Sequence, residues 1–153
     1  MLGWSSAQSY GALAALAGDR LPADCTAGAV SALPTAFVGV AGPYDPSFLS
    51  GDPRPDLVRT DPARCQALNP YTHICGNPDL RVSLLHGADD PAVPPEMSIA
   101  FGDALVAAGY DVALTLIEEY GHEVPTPGSG AFDAIVEETA GVACARGLAN
   151  GCR

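Results

Sequence analysis

Lysine is absent from this 153-residue chain: its seven basic residues are all arginine, spaced singly from Arg20 to Arg153. That excludes Schiff-base chemistry and a phosphate-gripping P-loop lysine. Against the arginines stand 18 acidic residues, for a formal net charge of −11. The basic surface that a nucleic-acid backbone demands is therefore missing as well. No apolar run approaches the roughly 18 consecutive residues of a membrane span. There is no Cys-x-x-Cys among the five cysteines, so neither a zinc knuckle nor a thioredoxin-like redox site is supported. Seventeen glycines and 14 prolines make up about a fifth of the chain, below the roughly 25–30% typical of low-complexity disorder. What remains is an acidic, globular composition, 48% hydrophobic, with no internal repeat and no composition break that divides it into domains.

The hydrophobic pattern is that of an α/β protein. Tyr10, Leu13, Ala14 and Ala17 recur at helical spacing before Gly18, whereas the serines and Gln8 ahead of them, and a first basic residue only at Arg20, do not fit a secretory leader. Thr35–Ala41, a short apolar run bounded by Pro34 and Gly42-Pro43, predicts a buried strand, and Leu80–Leu85 and Asp111–Ile117 predict two more strands. Met97, Phe101, Ala104, Leu105 and Ala108 predict a second helix, and Phe132, Ile135, Val136, Val142 and Ala143 a last one. Alternation of strands with helices implies right-handed crossovers on a mostly parallel sheet. The proline-rich stretch from Pro43 to Pro78, with a short helix expected at Asp61-Pro62, reads as a lid-like or pocket-lining excursion.

Three segments carry chemistry. Gly3-Trp4-Ser5-Ser6-Ala7 precedes the first helix and approximates the Gly-x-Ser-x-Gly turn on which a serine is exposed, with Ala7 in the place of the last glycine. Taken alone it is also explained by a helix cap. His86-Gly87-Ala88-Asp89-Asp90-Pro91-Ala92-Val93-Pro94 begins at the end of one predicted strand, and Tyr120-Gly121-His122-Glu123 follows the next. In open α/β sheets sites form at these carboxyl ends. A serine nucleophile needs a base for its proton and a carboxylate to orient that base. His86 fits a structural histidine at a strand end, His73 a surface or pocket-wall position, and Glu118, Glu119 and Glu123 solvated charges. His86, Asp89 and Asp90 have no second histidine at metal-ligand spacing.

In these three segments, and in their order, the chain resembles the α/β-hydrolase superfamily, in particular its esterase-like serine hydrolases. The stretch Leu84–Pro94 resembles the family's His-Gly-x-x-Asp-x-x-Val-Pro, Gly121-His122 resembles its Gly-His before the last helix, and Thr35–Asp45 resembles the strand and loop after the elbow helix. The resemblance implies Ser5 as nucleophile, His122 as base and Asp90 as acid, with Asp89 the alternative if the turn is shifted. It implies the Ser6 amide as an oxyanion donor, no cofactor, no metal, and a small ester as substrate. Peptide substrates are the alternative, because Gly3-Trp4-Ser5 and His86–Pro94 also resemble the prolyl-oligopeptidase group.

In that family the elbow follows the fifth strand of an eight-stranded sheet, whereas only Met1 and Leu2 precede Gly3 here. The fold expected is thus the C-terminal half of an α/β-hydrolase fold over residues 1–153, with its N-terminal strands missing. On that reading Thr35–Ala41 becomes an exposed apolar edge, and the second oxyanion donor is lost. The chain alone is then expected to be poorly soluble and to hydrolyse esters little, as an inactive fragment. Cys65 with Cys75 and Cys144 with Cys152 could close short loops, leaving Cys25 unpaired, or all five can be free thiols; composition does not separate a secreted from a cytoplasmic protein. Oligomeric state is likewise open.

Overall fold

A computed structural model of the chain describes residues 1–5, 7–17, 33–45, 67–123 and 125–145. Four parallel strands form one sheet: β1 (Leu2–Trp4), β2 (Ala36–Val40), β3 (Arg81–Gly87) and β4 (Asp111–Ile117), lying side by side in chain order. Three helices flank them: α1 (Ala7–Ala17), α2 (Glu96–Ala107) and α3 (Gly130–Ala145). The expected α/β class, a parallel sheet with flanking helices, is what the chain adopts. The helix expected at Asp61 lies outside the described residues. From the excursion between Pro43 and Pro78, the structure describes one 3-10 turn, Pro70–His73, where the Asn69 side chain accepts from the Tyr71 amide.

Both faces of β2 and β3 are covered, whereas β4 keeps Leu114 and Leu116 exposed. Because side chains alternate along a strand, Phe37, Val82 and Leu84 face one side and pack with Ala12, Ala15 and Leu16 of α1 and Phe101 and Leu105 of α2. Tyr44 is fully buried in the same cluster, stacked on Phe101 with ring centroids 4.3 Å apart. Val38, Val40 and Leu85 face the other side and pack with Trp4, Ile117 and Ala134 and Ile135 of α3. Burial of each large side chain contributes roughly 1.5–3 kcal/mol, so the first layer, which holds Phe37, Tyr44 and Phe101, is the larger support for the strands.

Two expectations need correction here. The strand that presents Ser5 is not missing: Leu2, Gly3 and Trp4 pair in parallel with Val38, Gly39 and Val40. The Val38 amide donates to the Met1 carbonyl, the Ser5 amide to the Val40 carbonyl, and the Met1 amine to the Ala36 carbonyl. A ladder this short forms because β2 already presents an ordered row of partners, so each added residue gains bonds without its own nucleus. Among the described residues the sheet edge on this side is β1 and not β2, and Leu2 is 54% exposed on it. Second, α1 buries a wider face than its apolar spacing suggests, and Tyr10 is not on it. Leu13 and Ala17 are buried as expected, but so are Gln8, Ala12, Ala15 and Leu16, while Tyr10 is 57% exposed. Ala12, Ala15 and Leu16 pack in one cluster with Phe37, and a Cβ on Gly11 would lie 3.2 Å from the Phe37 ring.

Close approach also dictates two glycines. A Cβ on Gly39 would lie 2.1 Å from the Tyr44 hydroxyl oxygen, and one on Gly87 would lie 2.2 Å from the Tyr120 carbonyl and 2.5 Å from that of Gly121. At Gly87 the obstacles are backbone atoms that cannot swing aside. Gly87→Ala is expected to lower stability by about 1–3 kcal/mol, the usual range for overpacking, measurable as a reduced urea midpoint at unchanged slope.

The cysteine expectations divide. Cys75 is a free, exposed thiol, so the pairing of Cys65 with Cys75 does not occur. Its backbone sits at φ +82° beside Gly76, with its amide donating to the Tyr110 hydroxyl, a local geometry that spacing alone does not reveal. Cys144 is disulfide-bonded, with its partner outside the described residues.

Candidate active site

Three strand ends converge. Ser5 follows β1, Asp90 lies three residues past β3, and His122 lies five residues past β4. Parallel pairing puts all the carboxyl ends on one edge of the sheet, so segments distant in sequence meet there.

Ser5 occupies the left-handed region at φ +54°, which a non-glycine residue adopts at a cost of about 1–3 kcal/mol. The turn is held on both sides: the Ser5 amide donates to Val40, and the Ser5 carbonyl accepts from the Gln8 amide at the start of α1. This sharp strand-to-helix turn raises the hydroxyl above the sheet. The Ser5 Oγ lies 2.9 Å from His122 Nε2, and His122 Nδ1 lies 2.7 Å from Asp90 Oδ2. A carboxylate can only accept, so His122 donates from Nδ1 and its Nε2 is free to accept the Ser5 proton. Trp4 packs against the same imidazole, with ring centroids 5.2 Å apart and planes tilted by 40°.

Asp90 is held as tightly as the histidine it orients. Its side chain is fully buried, and Oδ1 accepts from the Ala92 and Val93 amides, each at 2.9 Å. Burial by itself raises its pKa. The hydrogen bonds from Val93, His122 and Ala92 and the charge of His122 outweigh that effect, and the carboxyl sits below its ordinary value. A carboxyl whose folded pKa is depressed stabilises the fold above its unfolded pKa, near 3.9, and loses that contribution as the pH falls through the lower folded value. Asp90→Asn is accordingly expected to flatten the loss of urea resistance on acidification below about pH 4; an unchanged acid limb would show that the carboxylate contributes nothing to it.

The loops bearing Asp90 and His122 are stitched to each other. The Ala88 amide donates to Ile117 and the Asp89 amide to Tyr120, and Gly87 permits the contact. Glu123, expected as a solvated charge, is exposed but accepts from the Gly121 amide through Oε2 at 2.9 Å. Of the two adjacent aspartates, Asp90 is the one whose carboxylate meets His122; Asp89 takes part through its backbone amide. Ser6 lies outside the described residues. His73 is on the surface, 3.0 Å from the Ala67 carbonyl. His86 is fully buried within the fold. An apolar cavity of about 330 Å³ lies beside Trp4, lined also by Leu2, Val40, Pro125, Phe132 and Ile135. Among the described residues, no three His, Cys, Asp or Glu side chains cluster as metal ligands, and no helix is long and apolar enough to cross a membrane. The Trp4 contact and the two amides on Asp90 were not apparent from the sequence, although the Asp-Pro-Ala-Val-Pro run does signal a turn.

The fold has counterparts among solved structures. The chain superposes on an acetyl ester-xyloside bifunctional hydrolase from Caldicellulosiruptor lactoaceticus with a TM-score of 0.75 at 20% identity, covering 97% of this chain and 57% of that one. The chain carries the carboxyl-terminal part of an α/β-hydrolase fold. An esterase from the planctomycete Thermogutta terrifontis, solved with propionate bound, gives 0.72 at 20% identity, over 99% of this chain and 57% of that one; another structure of this esterase is phosphorylated by paraoxon. A putative dipeptidyl aminopeptidase IV from Bacteroides ovatus gives 0.67 at 17% identity, over 91% of this chain but 18% of that one. Among curated proteins, the esterase YpfH of Escherichia coli K12 is 37% identical over 43 residues, which is 28% of this chain and 18% of that protein. No family model matches the chain. The α/β-hydrolase fold seen here thus spans little more than half the length of the two solved esterases.

Proposed function

We propose that the chain acts as a serine hydrolase on carboxylic esters, through an acyl-enzyme formed on Ser5. The observation that carries this reading is the unbroken Ser5–His122–Asp90 hydrogen-bond chain with the serine on a left-handed turn. Ser5 Oγ attacks the ester carbonyl carbon while His122 Nε2 takes its proton. Asp90 holds the imidazole in the Nδ1–H tautomer and stabilises the imidazolium that forms. His122 then protonates the leaving alcohol, and the acyl group stays on Ser5. Water, deprotonated by His122, attacks the acyl carbonyl and releases the acid and Ser5. The oxyanion is assigned to the Ser6 backbone amide, the donor that follows an elbow nucleophile. Removal of one such donor typically lowers turnover by ~10²–10³-fold.

The esterase neighbours support ester substrates, and the aminopeptidase neighbour keeps amides as a second reading. Turnover of p-nitrophenyl acetate against that of a peptide p-nitroanilide separates the two. Faster ester cleavage is expected, and cleavage of the anilide alone would move the assignment to a peptidase.

A further inference from the structure

His86, at the end of β3, is fully buried and takes no part in the proton transfers above. Its Nε2 lies 2.9 Å from the Val93 carbonyl and 3.3 Å from Asp90 Oδ2. Its Nδ1 lies 2.6 Å from the hydroxyl of Ser98, itself completely buried on α2. Both groups facing Nε2 are acceptors only, a carbonyl and a carboxylate, so Nε2 must carry the proton. In the neutral ring Nδ1 is then the acceptor, and Ser98 donates to it. The result is a directed chain from α2 through the imidazole to the turn that holds Asp90.

Two consequences follow from where that chain ends. The Val93 carbonyl belongs to the residue whose own amide binds Asp90 Oδ1, so fixing that carbonyl also fixes one of the donors on the carboxylate. The remaining reach of Nε2–H is toward Oδ2, the same oxygen that accepts from His122. We propose that His86, its tautomer set by Ser98, is a positioning residue that holds the Asp90 carboxylate in register with His122. The proposal rests on the Ser5–His122–Asp90 reading, because its effect on chemistry passes through Asp90.

The test compares His86→Gln, which keeps an N–H near the Nε2 position, with His86→Leu, which fills the space without a donor, and with Ser98→Ala. Two measurements are made on the whole chain: the rate at which a fluorophosphonate modifies Ser5, resolved into its limiting rate and half-saturating concentration, and long-range ¹H–¹⁵N spectra of the histidines. His86→Leu is expected to lower the limiting rate about 10²-fold, the scale of a small misplacement in a preorganised site, with the half-saturating concentration unchanged. His86→Gln is expected to recover most of that rate. The spectra should show His86 protonated at Nε2, and the His122 Nδ1–H resonance should move in His86→Leu and return in His86→Gln. An unchanged limiting rate in a folded His86→Leu, a rate that His86→Gln fails to recover, or a proton on Nδ1 would overturn the proposal. If the unmodified chain is not labelled at Ser5, or Asp90→Asn labels at the unmodified rate, the triad reading fails instead. The positioning role is then decided by the spectra: a His122 resonance that responds to His86 supports it, and one that does not overturns it.

Discussion

Replacing Ser5 with alanine is expected to remove all covalent labelling by fluorophosphonates and to lower ester turnover by about 10⁶-fold, the scale measured when a triad serine is deleted. The expectation rests on chemistry rather than stability. Alanine lacks the hydroxyl that lies 2.9 Å from His122 Nε2, so no acyl-enzyme can form there. The substitution leaves the φ of +54° in place, and the fold should be retained, since the backbone bonds from residue 5 to Val40 and Gln8 do not involve its side chain. The test is the pair of rates, labelling and p-nitrophenyl acetate hydrolysis, together with an unfolding midpoint close to that of the unmodified chain. Labelling that persists in Ser5→Ala would assign the nucleophile elsewhere.

Asp90→Asn is expected to reduce the limiting rate of Ser5 modification by about 10⁴-fold, because an amide can present its N–H to His122 and favour the wrong tautomer. The size of the effect follows from the geometry. Oδ1 is already committed to two backbone amides, so the group left facing His122 Nδ1 is the one that becomes NH₂. His122 must then accept at Nδ1 and carry its proton on Nε2, where it can no longer take one from Ser5. A change of pH should not restore the rate, whereas simple loss of a charge would leave a partial, pH-responsive activity.

How far the sequence reaches is clear from particular elements. The strands β2 and β3 are legible because each is a short apolar run closed by glycine or proline, and burial on both faces produces such a run; β4 is legible from its apolar run alone, since Leu114 and Leu116 are exposed on it. β1 is not legible. Three residues carry no measurable period, and their pairing is imposed by the neighbouring strand. The exposure of Tyr10 on α1 is also lost in the pattern: alanine is ambiguous between a solvent-facing and a tightly packed position, and Ala12 and Ala15, outside the expected stripe, are fully buried. At the site, motif and order put Asp90 and His122 after β3 and β4, and the structure brings their side chains together there. What the sequence cannot convey is three-dimensional direction. The left-handed turn at Ser5, the ring contact of Trp4 and the turn of His86 back onto Asp90 all depend on how a loop folds over itself. Cys75 makes the same point, since a ten-residue spacing permits a bridge that the geometry does not supply.

The most direct test of the account is to treat the unmodified chain with a fluorophosphonate and locate the adduct by peptide mass spectrometry. The account predicts one adduct, on Ser5, that requires His122. An adduct on Ser6 or Ser9, or one on Ser5 that forms equally well in His122→Gln, would contradict it.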